Sequence, residues 1–164
     1  MKTITVVLTK YSDFLSSFIC FFSGGGYTHV SLALDDAANS MYSFNYRGFC
    51  IETPEKHRRR GVTKSICYQL QIPEDAHDGL MRHIQYFIEH REEFSYTKLG
   101  VILCFLRVPF TWKGHYFCSQ FVAEALALAG AVKLKMKPSL YLPNHLENEL
   151  AYSPQRRWID YHLV

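Results

Sequence analysis

Apolar and polar positions alternate in short stretches along most of this chain, and the period changes where the chemistry changes. Thr3 to Leu8 is β-branched and apolar, which predicts a first strand. Tyr11 to Phe22 predicts a helix, capped by Ser12 or Asp13 and ended by Gly24-Gly25-Gly26. Thr28 to Leu34 is a strand, residues 35–40 turn, and Met41 to Tyr46 returns as its antiparallel partner. Gly48 to Glu52 extends that sheet. Thr53 to Gly61, with its proline and the basic run Lys56-His57-Arg58-Arg59-Arg60, reads as a solvated loop in preference to a polyanion contact. Val62 to Ile72 resumes as a strand.

Pro73 opens a helix in which Leu80, Ile84, Phe87 and Ile88 recur at helical spacing. A more apolar segment runs from Leu99 to Val108. A third helix covers Phe117 to Ala129, with Gly130 as its C-terminal stop. Pro138 and Pro143 bracket a turn, and Asn144 caps a short helix through Leu150. Trp158 to Val164 is either a last strand or a packed extension. The whole chain, 1–164, is expected to form one α+β domain, an antiparallel sheet packed by helices.

Composition narrows the function classes. A chain of 164 residues with 48% hydrophobic and 15% aromatic residues can bury a full core without staples. Its net charge of +3 is too small to argue for nucleic acid. Phe14 to Phe22 falls short of the roughly 20 apolar residues that span a bilayer, so no stable membrane insertion and no targeting segment are expected. The cysteines at 20, 50, 67, 104 and 118 form no CxxC pair, which argues against a disulfide framework or a zinc knuckle and for a reducing, cytoplasmic setting. His77, His83 and His90 lie along one helix without a metal-binding spacing, and no cofactor is expected.

Two segments carry chemistry. Gly24 to Leu34 sets His29 at the start of a strand, directly after a glycine turn. His115 to Leu126 sets Cys118 in the first turn of an amphipathic helix. Unpaired N–H groups and the helix dipole favour a thiolate there, and the same N–H groups can hold an oxyanion. Cys118 is therefore the expected nucleophile and His29 the general base. His115 competes for the base role but sits on a connecting loop. Tyr27 and Tyr116 flank the reactive positions and are expected to contact substrate, with plain packing as their alternative. Cys20, Cys50, Cys67 and Cys104 are expected as inert buried thiols.

The ordered pair of segments Tyr27-Thr28-His29-Val30-Ser31-Leu32-Ala33-Leu34 and Tyr116-Phe117-Cys118-Ser119-Gln120-Phe121-Val122-Ala123 resembles the circularly permuted NlpC/P60 group of papain-like proteins. It is similar to the YaeF/YiiX-type amidases and, more distantly, to the lecithin:retinol acyltransferase-like enzymes. Leu142-Pro143-Asn144-His145-Leu146 looks like the proline turn that follows the cysteine helix in that group. The resemblance implies a papain-like fold, a cysteine amidase or peptidase, and a small peptide, amide or acyl substrate. It also implies an orienting residue on the strand after the histidine strand. Ser43 falls at that position, with Asn45 next on the same face as a further site residue and Glu52 as a lower-ranked orienter. An acyltransferase or thioesterase, and a binding module without turnover, are the competing readings.

Overall fold

The computed structural model describes residues 1–11, 26–62 and 64–160. Its largest element is a six-stranded sheet, built from β1 (Lys2–Lys10), β2 (His29–Ala33), β3 (Met41–Asn45), β4 (Gly48–Glu52), β5 (Lys64–Ile72) and β8 (Arg156–Asp160). The spatial order is β4-β3-β2-β1-β5-β8, and every neighbouring pair is antiparallel. Period-two alternation sorts the strands' side chains onto two faces. Ile4, Val6 and Leu8 of β1 join Val30, Leu32 and Phe44 in the main core. Val7, Ala33, Met41 and Cys67 form a smaller cluster on the other face, closed by Ala38 of the 35–40 turn.

The main core is covered by α2 (Glu74–Glu89) and α4 (Cys118–Leu128). Leu80, Ile84 and Phe87 of α2 are buried at the helical spacing expected of them. Helix α4 has alanines at 123 and 125 on its buried surface, which lets its backbone approach β2 and β3 closely. Phe121 packs 5.3 Å from Phe44 of β3 and 5.0 Å from Phe87 of α2, ring centre to ring centre. Aromatic pairs of this kind add about 0.5–1.5 kcal/mol each beyond burial. Gly130, at φ 67°, ends α4 where a left-handed residue is needed.

Several expected elements change on folding. Residues 53–61 are not a loop: Pro54–Arg59 form a short helix, α1, whose cap Thr53 accepts the Lys56 N–H at 3.3 Å. A threonine cap, proline at the first helical position and Glu55 in the first turn are a helix-start signature that the run of cations obscured. Helix α3 (Lys98–Phe105) is shorter than the apolar run containing it, because Arg107 turns left-handed at φ 59° just before Val108-Pro109. The tail pairs with β5 as a strand from Arg156 to Asp160, and its last four residues fall outside the described ones. Leu142, rather than Asn144, caps α5 (Pro143–Ala151), and its N–H donates to His145 Nδ1 at 3.2 Å. The helix expected over Tyr11 to Phe22, with Cys20, lies outside the described residues beyond Tyr11 itself.

Between α2 and α4 the chain forms two short strands, β6 (Ser95–Tyr96) and β7 (His115–Tyr116), paired in parallel. They hold the two ends of α3 and its following loop together and deliver the chain to Cys118.

Candidate active site

Helix α4 begins at Cys118 because Phe117 is extended, at φ −120° and ψ 163°, and is buried with Val101, Cys104 and Leu142. No side chain caps this helix start. Its first-turn N–H groups therefore have no partner supplied by an N-cap side chain. Cys118 is 5% exposed and packs in the main core beneath β2 and β3.

His29 is the first residue of β2 and is 8% exposed. The Cys118 thiol lies close enough to its imidazole to favour the charged ring. Nε2 lies 2.9 Å from Glu52 Oε2, so Nδ1 is the ring nitrogen left for the sulfur. Residues 29 and 118, from the two motif segments, are thus brought near each other by the fold.

Glu52 is the last residue of β4 and is 1% exposed. Its carboxylate crosses over β3 to reach β2, where Oε2 also accepts from Ser31 Oγ at 2.6 Å. Oε1 accepts from Arg60 Nη1 at 3.3 Å, and His57 Nε2 stands 3.6 Å from Oε2. Both His57 and Arg60 arrive from α1 and its C-cap. His57 is fully buried, and its Nδ1 is hydrogen-bonded to the Tyr11 hydroxyl. With the hydroxyl donating, the Nε2–H of a neutral His57 faces the carboxylate without reaching it.

This surround sets the protonation states. Burial opposes charge on His29, but the Glu52 carboxylate, its hydrogen bond and the nearby Cys118 thiol outweigh it and raise its pKa. Burial likewise opposes the charge on Glu52, yet His29 and His57, with the Ser31 hydrogen bond, hold its carboxyl well below the usual range. His57 goes the other way: desolvation dominates and holds it down to about 4, neutral at physiological pH. Burial and the nearby Glu52 push the Tyr11 hydroxyl and the Cys50 thiol up. Burial also pushes Cys67 and Cys104 up to about 12, so these thiols resist ionisation.

The structure places Glu52, not Ser43, on the imidazole. Only one residue pair, Leu32 with Tyr42, registers β2 against β3. Ser43 Oγ fills in for the missing ladder by donating to the Val30 carbonyl at 2.6 Å. Asn45 Oδ1 accepts the Arg47 N–H at 2.8 Å and shapes the β3–β4 turn, where Gly48 takes φ 101°.

Tyr27 is buried in the main core, with Lys64 Nζ 4.9 Å from its ring centre. Tyr116 donates its hydroxyl to Glu124 Oε1 at 3.0 Å and packs among Phe44, Phe87 and Phe94. The Tyr116 hydroxyl is thereby committed to Glu124. His115 is turned elsewhere too: its ring stacks 3.8 Å from that of Trp112, and Nδ1 lies 3.0 Å from the Lys113 carbonyl.

Of the helix α2 histidines, His77 bonds the Leu34 carbonyl at 2.9 Å, His83 packs on Phe87, and His90 bonds the Tyr86 carbonyl at 2.9 Å. Among the described residues no group of three His, Cys, Asp or Glu side chains is arranged to hold a metal, and no helix is long and apolar enough to cross a membrane.

No protein-family model matches the chain, and neither a curated protein nor a solved structure matches it.

Proposed function

We propose that this protein is a cysteine hydrolase of the amidase or peptidase type, on the permuted papain-like plan that its two motif segments resemble. The observation that carries the reading is the buried hydrogen bond from His29 to the Glu52 carboxylate, on an imidazole that the Cys118 thiol lies close enough to influence. A nucleophile, a base and a group that orients the base are the three roles acyl transfer needs. A neutral orienter at position 43 would have favoured a binding scaffold; a carboxylate on the imidazole favours turnover.

In this reading the Cys118 thiolate attacks the substrate carbonyl carbon while the His29 imidazolium is held by Glu52. The oxygen takes up negative charge against the first-turn N–H groups of α4. Collapse breaks the carbon–nitrogen bond, and His29 gives its proton to the departing amine, leaving a thioester. Neutral His29 then takes a proton from water, the hydroxide adds to the thioester carbonyl, and the thiolate leaves. Glu52 fixes the ring with Nδ1 toward sulfur and stabilises the imidazolium at both stages.

The test is intact-mass detection of the acyl-enzyme with a panel of activated esters and peptide amides. A mass increment on Cys118 that disappears in Cys118→Ala, with an unchanged melting curve, is expected. An increment that survives in Cys118→Ala, or no increment with any acyl donor, would sink the proposal.

A further inference from the structure

Helix α3 is unusual in what it leaves in water. Its inner face, Val101 and Cys104, packs on Phe117, but Leu99, Ile102 and Leu106 recur along its outer face and are exposed. Leu106 is 66% exposed, and Val108 and Trp112 continue the apolar surface into the following loop, Trp112 at 53%. Scattered exposed apolar side chains need no explanation, whereas five on one continuous segment do.

Along the segment itself the charge has a single sign. Residues 94–123 contain no aspartate or glutamate, while Lys98, Arg107 and Lys113 lie within them. Among the described residues no carboxylate forms a salt bridge with these three cations, and Arg107 contacts the Met136 sulfur at 3.7 Å. That contact joins the surface to a second exposed basic stretch, Lys133, Lys135 and Lys137. An apolar helix face with Leu and Trp, whose own charged residues are lysine and arginine, is the chemistry of a segment that lies in the interface of an anionic bilayer.

We propose that α3 and the 106–113 loop dock the protein reversibly on anionic phospholipid, with Leu106 and Trp112 entering the headgroup boundary. This goes beyond the hydrolase reading and does not depend on it. Nothing here spans the membrane, because α3 has only eight residues. Docking would bring the bilayer beside the α4 N-terminus, since the inner face of α3 rests on Phe117, the neighbour of Cys118.

The experiment is flotation of the full chain with phosphatidylcholine vesicles, with and without phosphatidylglycerol. Trp112 emission is followed in a Trp158→Phe background. Expected are binding that needs phosphatidylglycerol, a blue shift of Trp112, and loss of binding in molar salt. Each cation near the surface contributes roughly fivefold in partitioning, so Lys98→Glu with Lys113→Glu should weaken binding by well over tenfold. Leu106→Asp should weaken it about tenfold or more while leaving the melting curve unchanged, since its side chain is exposed. Cys118→Ala should bind as the parent does, which separates this proposal from the chemistry at that residue. Absence of binding to anionic vesicles, or binding that ignores these substitutions, would overturn it. So would a dimer in solution that Leu106→Asp dissociates while vesicles are not bound.

Discussion

Glu52 carries two jobs in one carboxylate: it accepts from His29 and Ser31 on one oxygen and from Arg60 on the other. Glu52→Gln keeps the shape but removes the charge that favours the imidazolium. We expect the acylation rate to fall on the order of 10²- to 10⁴-fold, with a shifted pH–rate profile and an intact fold. A rate and profile like the parent's would show that Glu52 does not orient the base. Ser43→Ala is the contrasting case. It strands the Val30 carbonyl between two strands, so stability should drop by about 1–2 kcal/mol in urea unfolding while the pH–rate profile keeps its shape. Thiol reactivity offers a third check. At a pH below 7, iodoacetamide should label Cys118 well before Cys50, Cys67 or Cys104, whose thiols burial keeps protonated. Equal labelling of all four would remove the thiolate–imidazolium pair from the argument.

At the scale of elements, the placement of Cys118 depends on how α3 and α4 meet. Gly100 sits where they touch. A Cβ there would lie 2.6 Å from Thr97 Cγ2 and 3.3 Å from Phe117 Cδ1. The Thr97 hydroxyl also accepts the Gly100 N–H at 2.9 Å, capping α3. Gly100→Ala gains less than about 1 kcal/mol of helix propensity but adds an overpacking penalty of about 1–3 kcal/mol. The net expected result is a lower melting temperature together with slower alkylation of Cys118, because Phe117 must shift. A stabilised variant would mean that the contact relaxes without cost. Helix α1 shows the same dependence from the other side of the site. Its six residues contribute little on their own, but they bring His57 and Arg60 to the carboxylate.

For the whole molecule, the buried histidines make stability depend on pH in two separate windows. Unfolded, His57 takes a proton near 6.5; folded, it does so only at about 4. The unfolded chain therefore binds more protons between those values, and stability must fall as pH drops through that window. The loss amounts to about 3 kcal/mol by pH 4. Glu52, depressed in the fold, adds a loss that begins only below the ordinary glutamate range. His29 has the opposite sign. Its raised pKa contributes stability that is complete below 6.5 and disappears as pH rises through the folded value. Urea midpoints of the parent and of His57→Phe at pH 7 and pH 5 test this, the variant being expected to lose most of the acid-sensitive step. Equal acid sensitivity in both proteins would place the effect elsewhere.

What was legible in the sequence is what local pattern can encode. β-Branched apolar content marked β1, a turn between two strand-like runs marked the β2–β3 pair, and alternation marked β5; helical spacing marked α2; Gly130 marked the end of α4; and a cysteine in a helix's first turn was visible without a fold. The pair His29 and Cys118 could be named from their segments, although only folding brings them near each other. The partner of His29 could not be read locally, because it depends on a crossing. Glu52 belongs to the strand beyond β3, and its side chain meets His29 and Ser31 of β2 only in the folded sheet. Nor does a run of five basic residues reveal that one of them, His57, will be fully buried beside a carboxylate while Arg60 neutralises its other oxygen. Sequence fixes the period of each element and the chemistry of each side chain. Which strands become neighbours, and so which charges share a buried space, is decided by packing over the whole sheet.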